Sequence, residues 1–179
     1  MKTERFGSFK VDHSKLMPGL YLSREDRVNG VCIYTLDIRC RAPYKELPMS
    51  VITAHSVEHI LATELETISG FYNIQKVYFG PQGCLTGYYY VFAVVNNKES
   101  CALSSVSEMV ACNLVRACVN WLNSSKKVPF NSELECGNNR TLASTSAEYD
   151  EVVDVIKEIK VLAKRVVDQG KFDQYPVLI

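Results

Sequence analysis

The stretch "MPGLYLSREDRVNGVCIYTLDIRCRAP" carries two runs of strand-forming residues that meet at Asn29-Gly30. Both residues of an Asn-Gly pair tolerate positive φ, which a tight two-residue hairpin requires. The two runs are therefore expected to fold back on each other as antiparallel strands. Side chains alternate along a strand, so Cys32, Tyr34, Leu36, Ile38 and Cys40 share one face of the second strand. Asp37 and Arg39 lie on the other.

The same reading extends along the chain. "IQKVYFG" and "GYYYVFAVV" are two further strands flanking the loop "GPQGCLT". "PMSVITAHSVEHILATELETISG" predicts a helix ending near Gly70, a good residue for the position just past a helix. "SSVSEMVACNLVRACVNWLNSS" predicts a second helix, opened by a Ser105-x-x-Glu108 capping box, with apolar residues at Val110, Leu114, Ala117 and Trp121. A last helix begins with Thr145-x-x-Glu148, buries Val152, Ile156, Ile159 and Val166, and stops at Gly170. Strand pairs interleaved with helices point to an α+β fold, an antiparallel sheet with helices on one face.

Length and composition narrow the class. The 179 residues suffice for one domain with a substantial core, and residues 1–179 are read as a single domain. Twenty basic and twenty acidic residues cancel, without a run of like charge, which argues against a nucleic-acid partner. The longest apolar stretch, "YYYVFAVV", is too short to span a bilayer, and "MKTERFGSFK" has no apolar run behind its charges. No membrane association is expected. Seven cysteines, an odd set without a secretory segment, are expected to be mostly free thiols in a reducing cytoplasm. Cys32, Cys101, Cys112 and Cys118 sit in strand or helix contexts where burial is role enough.

Two of the three histidines, His55 and His59, stand four residues apart in "HSVEH". Positions i and i+4 share a helix face, so both imidazoles can reach one ion. Glu58 is turned about a quarter of the circumference away and can stand beside that ion without ligating it. H-x-x-E-H on a helix is the inverted zinc-site pattern. The plainer alternative is a core helix with two hydrogen-bonded histidines. A metal site needs a third ligand, and "ELECGNN" offers two: Glu135, at the spacing of the inverted-motif peptidases, and Cys136, which would complete a softer His₂Cys set. Spacing does not choose between them.

The loop "GPQGCLTGYY" is the second constellation. Gly83 and Gly87 allow the backbone to bend around Cys84 and something to approach closely. A cysteine in such a turn, beside a cation, would have a depressed pKa and could carry protons.

Taken in order, these segments resemble the LuxS family, the S-ribosylhomocysteine lyases. "GSFKVDHSKLMPGLYL" is similar to the family's S-F-x-V-D-H segment and "TLDIRCRAP" to its D-[LI]-R strand. "HSVEH" stands where the family has H-T-[LIV]-E-H, "GPQGCLTGYY" where it has G-P-M-G-C-x-T-G-F-Y, and "ELECG" at its distal C-G. The resemblance implies His55, His59 and Cys136 as metal ligands, one divalent ion per subunit, natively iron(II) and often found as zinc or cobalt. It implies Glu58 and Cys84 as the proton-transfer pair. Ser8, His13 and Arg39 would bind substrate, reaching it from the partner subunit of a homodimer whose active site lies at the interface. The implied fold is related to the inverted-motif peptidases. The implied reaction is cleavage of S-ribosylhomocysteine to homocysteine and 4,5-dihydroxy-2,3-pentanedione, the autoinducer-2 precursor. The carbonyl migrates along the ribose, and a β-elimination then expels homocysteine.

Three positions depart from the family pattern. Glu66 stands where an Arg is usual, about three turns beyond His55 on nearly the same stripe, which places substrate affinity or the metal environment in question. Leu85 replaces a common Arg and Ser56 a Thr. Two alternatives remain beside a lyase: a metallohydrolase ligated by His55, His59 and Glu135, with Glu58 activating water, and a non-catalytic paralogue.

Overall fold

The structure is a computed structural model and describes residues 10–70, 73–94, 103–124, 127–128 and 136–177. Strands β1 (Gly19–Val28) and β2 (Val31–Arg39) form the expected hairpin. Asn29 and Gly30 have φ of 50° and 83°, and Val28 pairs with Val31 directly across the turn. Helix α1 (Val51–Thr67) follows, then a second hairpin of β3 (Ile74–Pro81) and β4 (Gly87–Val94). The hairpins lie side by side in one four-stranded antiparallel sheet of order β1-β2-β4-β3. Helices α2 (Leu103–Asn123) and α3 (Ser146–Gln169) complete the elements, with a short 3-10 turn at Asn139–Thr141 between them.

The core forms on the face expected from the alternation in β2. Cys32, Tyr34, Leu36, Ile38 and Cys40 are all buried there beside Tyr88, Tyr90 and Phe92 of β4. The apolar stripes of the three helices join the same cluster: Ile60 and Leu61 of α1, Val110, Leu114 and Trp121 of α2, and Val152, Ile156 and Ile159 of α3. Apolar area leaves water on one side of the sheet, so the helices gather there. The opposite face, at the end of β2, is buried too. Asp37 and Arg39 are only 2% and 4% exposed, because the segments before β1 and after α3 lie over them.

Helix ends follow local chemistry with one exception. Ser50 caps α1, its Oγ accepting from the Thr53 amide at 3.0 Å. Thr145 and Glu148 form the complete capping box of α3, and Gly170 ends it in the left-handed conformation at φ 67°. Gly70 lies a little past the end of α1, with φ 93°, in the turn that leads to β3. The Ser105-x-x-Glu108 box does not open α2. Helix α2 already runs from Leu103, so Ser105 lies inside it. Val106, fully buried, carries the Val110–Leu114 stripe toward the N-terminus, and this packing overrides the local cap signal.

Cys32, Cys40 and Cys118 are buried free thiols, and burial pushes the Cys118 thiol up to about 12. Cys112 is half-buried, and Cys101 lies outside the described residues. Among the described residues no helix is long and apolar enough to cross a membrane.

Candidate functional site

Helix α1 carries the histidine pair as the i, i+4 spacing requires. The His55 and His59 rings stand edge to face with centroids 4.8 Å apart. The polar loop before α3 brings Cys136 to them, its Sγ 3.4 Å from His55 Nε2. One ligand atom from each of these three residues lies within 4.8 Å of the others. This is the spacing that a single ion would span, and two imidazoles with a thiolate suit a borderline divalent metal. The residues present therefore fit a metal centre. Glu58 is half-buried, one residue from His59 and outside that group. Glu135, the competing ligand, lies outside the described residues, as does Ser8.

Three contacts support this cluster, and no local sequence pattern announces them. His55 Nδ1 lies 2.8 Å from Thr141 Oγ1, and that hydroxyl donates its one proton to the Asn138 carbonyl at 2.9 Å. Thr141 must then accept from Nδ1–H, which leaves the Nε2 lone pair bare toward Cys136. The distal loop is in turn pinned to α1 by Ser56, whose buried Oγ accepts from the Ala143 amide at 2.8 Å. The Asn138 amide points at Cys136 Sγ from 3.4 Å.

Cys84 occupies a different place, at the exposed tip of the β3–β4 hairpin. The positive φ in that turn is at Leu85, 56°, and not at Gly83 or Gly87. Leu85 takes it because its side chain packs onto the core and its amide bonds the Gln82 carbonyl at 2.8 Å. Gly87 is needed for close approach, since a Cβ there would stand 2.2 Å from the Ile38 carbonyl oxygen. Cys84 Sγ is 3.0 Å from Thr86 Oγ1 and 3.6 Å from Arg39 Nη1. Arg39 Nη1 also donates to Thr86 Oγ1, so the threonine proton is available to the sulfur. Partial burial alone would raise the thiol pKa. The Thr86 hydrogen bonds and the Arg39 charge outweigh it, and the net shift is downward.

Arg39 is itself held in a buried pair. Its Nη2 donates to Asp37 Oδ2 at 2.7 Å, and Gln82 Nε2 donates to Asp37 Oδ1 at 2.7 Å. His13 joins from the segment before β1, with Nδ1 3.0 Å from the Val11 carbonyl oxygen. Cys84, Arg39, His13, Tyr44 and Tyr89 line one cavity of about 400 Å³, and none of the metal-cluster residues is among its walls. Within one chain the structure thus groups Cys84 with His13 and Arg39, and separately groups His55, His59 and Cys136.

Comparison with known proteins bears on this pair of clusters. Residues 6–165 match the family model described as S-Ribosylhomocysteinase (LuxS). The chain belongs to the LuxS family. It is 36% identical over 160 residues to a protein named S-ribosylhomocysteine lyase from Borrelia garinii subsp. bavariensis, covering 87% of this chain and 96% of that one. Similar proteins of the same name come from Desulfotalea psychrophila, 34% identical over 87% of this chain and 95% of the relative, and from Finegoldia magna, 33% identical over 86% and 92%. His55, Glu58, His59, Arg39, Cys84 and Cys136 all lie within the matched span.

The departures look different in place. Glu66 forms an ion pair with Lys76 of β3 at 2.9 Å, with its own side chain 59% exposed. It therefore has a surface partner of its own, and neither cluster includes it.

Proposed function

We propose that the chain is an S-ribosylhomocysteine lyase, a metal-dependent carbon–sulfur lyase that releases homocysteine from S-ribosylhomocysteine. The observation that carries this reading is the convergence of His55, His59 and Cys136 in a chain of the LuxS family. Metal ligation by Cys136 in place of Glu135 is part of the proposal, with iron(II) as the native ion and zinc or cobalt as substitutes. So is kinship of the fold with the inverted-motif peptidases, and one cytoplasmic domain over residues 1–179.

The bound metal would supply a Lewis acid that polarises the sugar carbonyl and acidifies the neighbouring C–H. The rest of the chemistry falls to side chains. Glu58, beside the ligands, takes and returns one proton. Cys84, held toward the thiolate by Thr86 and Arg39, takes the other. Two such transfers move the carbonyl along the ribose, and a final abstraction expels homocysteine thiolate. The other product is 4,5-dihydroxy-2,3-pentanedione, the precursor of autoinducer-2.

A substrate that needs both clusters needs two chains. We assign the complete site to a homodimer interface, where Cys84, Arg39, His13 and Ser8 of one protomer face the metal ligands and Glu58 of its partner. The separate walls of the Cys84 cavity support this.

The test is an anaerobic preparation, metal-replete, with homocysteine thiol release followed from S-ribosylhomocysteine. Cys84→Ala and Glu58→Gln are each expected to abolish release while retaining metal. Mixing those two variants should restore part of the activity if each site draws on two chains. Absence of release from metal-loaded wild-type protein would sink the enzyme assignment. Metal retained in Cys136→Ala and lost in Glu135→Ala would favour the hydrolase.

A further inference from the structure

We infer that Tyr175, in the segment following α3, is a positioning residue for the Arg39–Cys84 pair. The family match stops at Arg165, so the segment that carries Tyr175 lies beyond it. That segment is tied down along its length. Asp173 Oδ2 accepts from the Leu20 amide at 2.9 Å and from Arg165 Nη2 at 2.7 Å. The Pro176 carbonyl accepts from the Asp12 amide at 2.7 Å, and Val177 bridges Val11 in antiparallel fashion. Between these anchors the Tyr175 ring stacks on Tyr21, with centroids 4.6 Å apart and planes 15° from parallel. Its hydroxyl then reaches Asp37 Oδ2 at 2.9 Å.

That oxygen is the one that holds Arg39 Nη2. With Gln82 on the other oxygen, Asp37 is anchored by donors from three elements: β2, the β3–β4 turn and the C-terminal segment. An anchored Asp37 fixes one arm of the guanidinium and aims the other, Nη1, at Thr86 and Cys84. Without the Tyr175 hydroxyl, Asp37 Oδ2 draws only on Arg39 among the described residues, and the guanidinium gains freedom to turn from the sulfur. Burial first, and then the Asp37 charge, hold the Tyr175 phenol well above its ordinary range, so it remains a donor wherever the enzyme works. The other polar groups around Cys84 come from its own turn (Thr86, Gln82), from β4 (Tyr89) and from the segments flanking the β1–β2 hairpin (His13, Tyr44, Glu46). Tyr175 reaches the Asp37–Arg39 pair, and its side chain also bonds Ser23 of β1.

The inference rests on the assignment of Cys84 to proton transfer, and its test separates the two. In the metal-loaded full-length protein, iodoacetamide alkylation of the Cys84 peptide is followed by mass spectrometry against pH, beside the pH profile of kcat/KM. Tyr175→Phe keeps the ring stack and loses only the hydroxyl. It should move both profiles to higher pH by about half a unit, with alkylation near neutrality about threefold slower. Tyr21→Phe, which removes the hydroxyl donated to the Met17 carbonyl, should move neither. An unmoved alkylation profile in Tyr175→Phe, or an equal shift in Tyr21→Phe, would overturn the inference. A shift in alkylation without one in kcat/KM would leave Tyr175 as the positioning residue and remove Cys84 from catalysis.

Discussion

The metal cluster and the Cys84 cavity are built by opposite strategies. The first hangs on one helix, whose period places His55 and His59 on the same face. Only Cys136 arrives from afar. The second has no local core: Cys84, Arg39 and His13 come from three separate segments, and a buried chain of charges holds them. A cluster on one helix is specified by spacing. A cluster held by Asp37 and Arg39 is specified by burial, since a charge pair 2–4% exposed is strong only where water cannot compete. The first should therefore fail by losing metal and the second by losing its pH setting.

The largest separation between the two should come from removing a member of each. His59→Ala is expected to lose both metal and activity. Cys84→Ala is expected to lose at least about a hundredfold in kcat with metal content unchanged, by elemental analysis beside the thiol-release assay. Parallel loss of metal in both would show that the clusters are one. Next in size is Thr141→Val, which removes the acceptor that sets the His55 tautomer. Metal affinity by chelator competition should fall roughly tenfold or more, and Cys84 alkylation should not change.

Thr86→Val sharpens the other side. The Cys84 pKa is lowered now, so the thiolate is present above that value and disappears as pH falls through it. Loss of the Thr86 hydroxyl raises the pKa toward its ordinary position. The acid limb of kcat/KM then moves to higher pH, about threefold to tenfold less active near neutrality, with metal retained. The smallest effect belongs to Glu66→Ala. An exposed pair with Lys76 contributes at most about 1 kcal/mol, so thermal unfolding should scarcely move and kcat/KM should stay at the wild-type value. A large loss of activity would mean that Glu66 reaches a site in a way the single chain does not reveal.

Much of the architecture was legible because it is written in local periods. Asn29-Gly30 marked the hairpin, the alternation from Cys32 to Cys40 marked the core face, and Thr145-x-x-Glu148 marked the start of α3. The Ser105 box misled because helix starts are decided by what the first turns bury, and Val106 packs into the core. The pairing of Glu66 with Lys76 was not legible at all. A helical stripe tells which residues share a face, and not which of them a neighbouring strand will claim.

Sequence by itself determined the identities and spacings that carry chemistry: two histidines one turn apart, a carboxylate between them, and cysteines in two loops. These are properties of the chain within a few residues, and helical or strand geometry translates them directly. Tertiary structure alone decided the company each group keeps. Thr141 reaches His55 across 86 residues, Ser56 reaches Ala143 across 87, and Tyr175 reaches Asp37 across 138. No local period encodes such separations. They are set by how the helices and terminal segments close over the two faces of the sheet, and that closure desolvates the hydrogen bonds that tune the site.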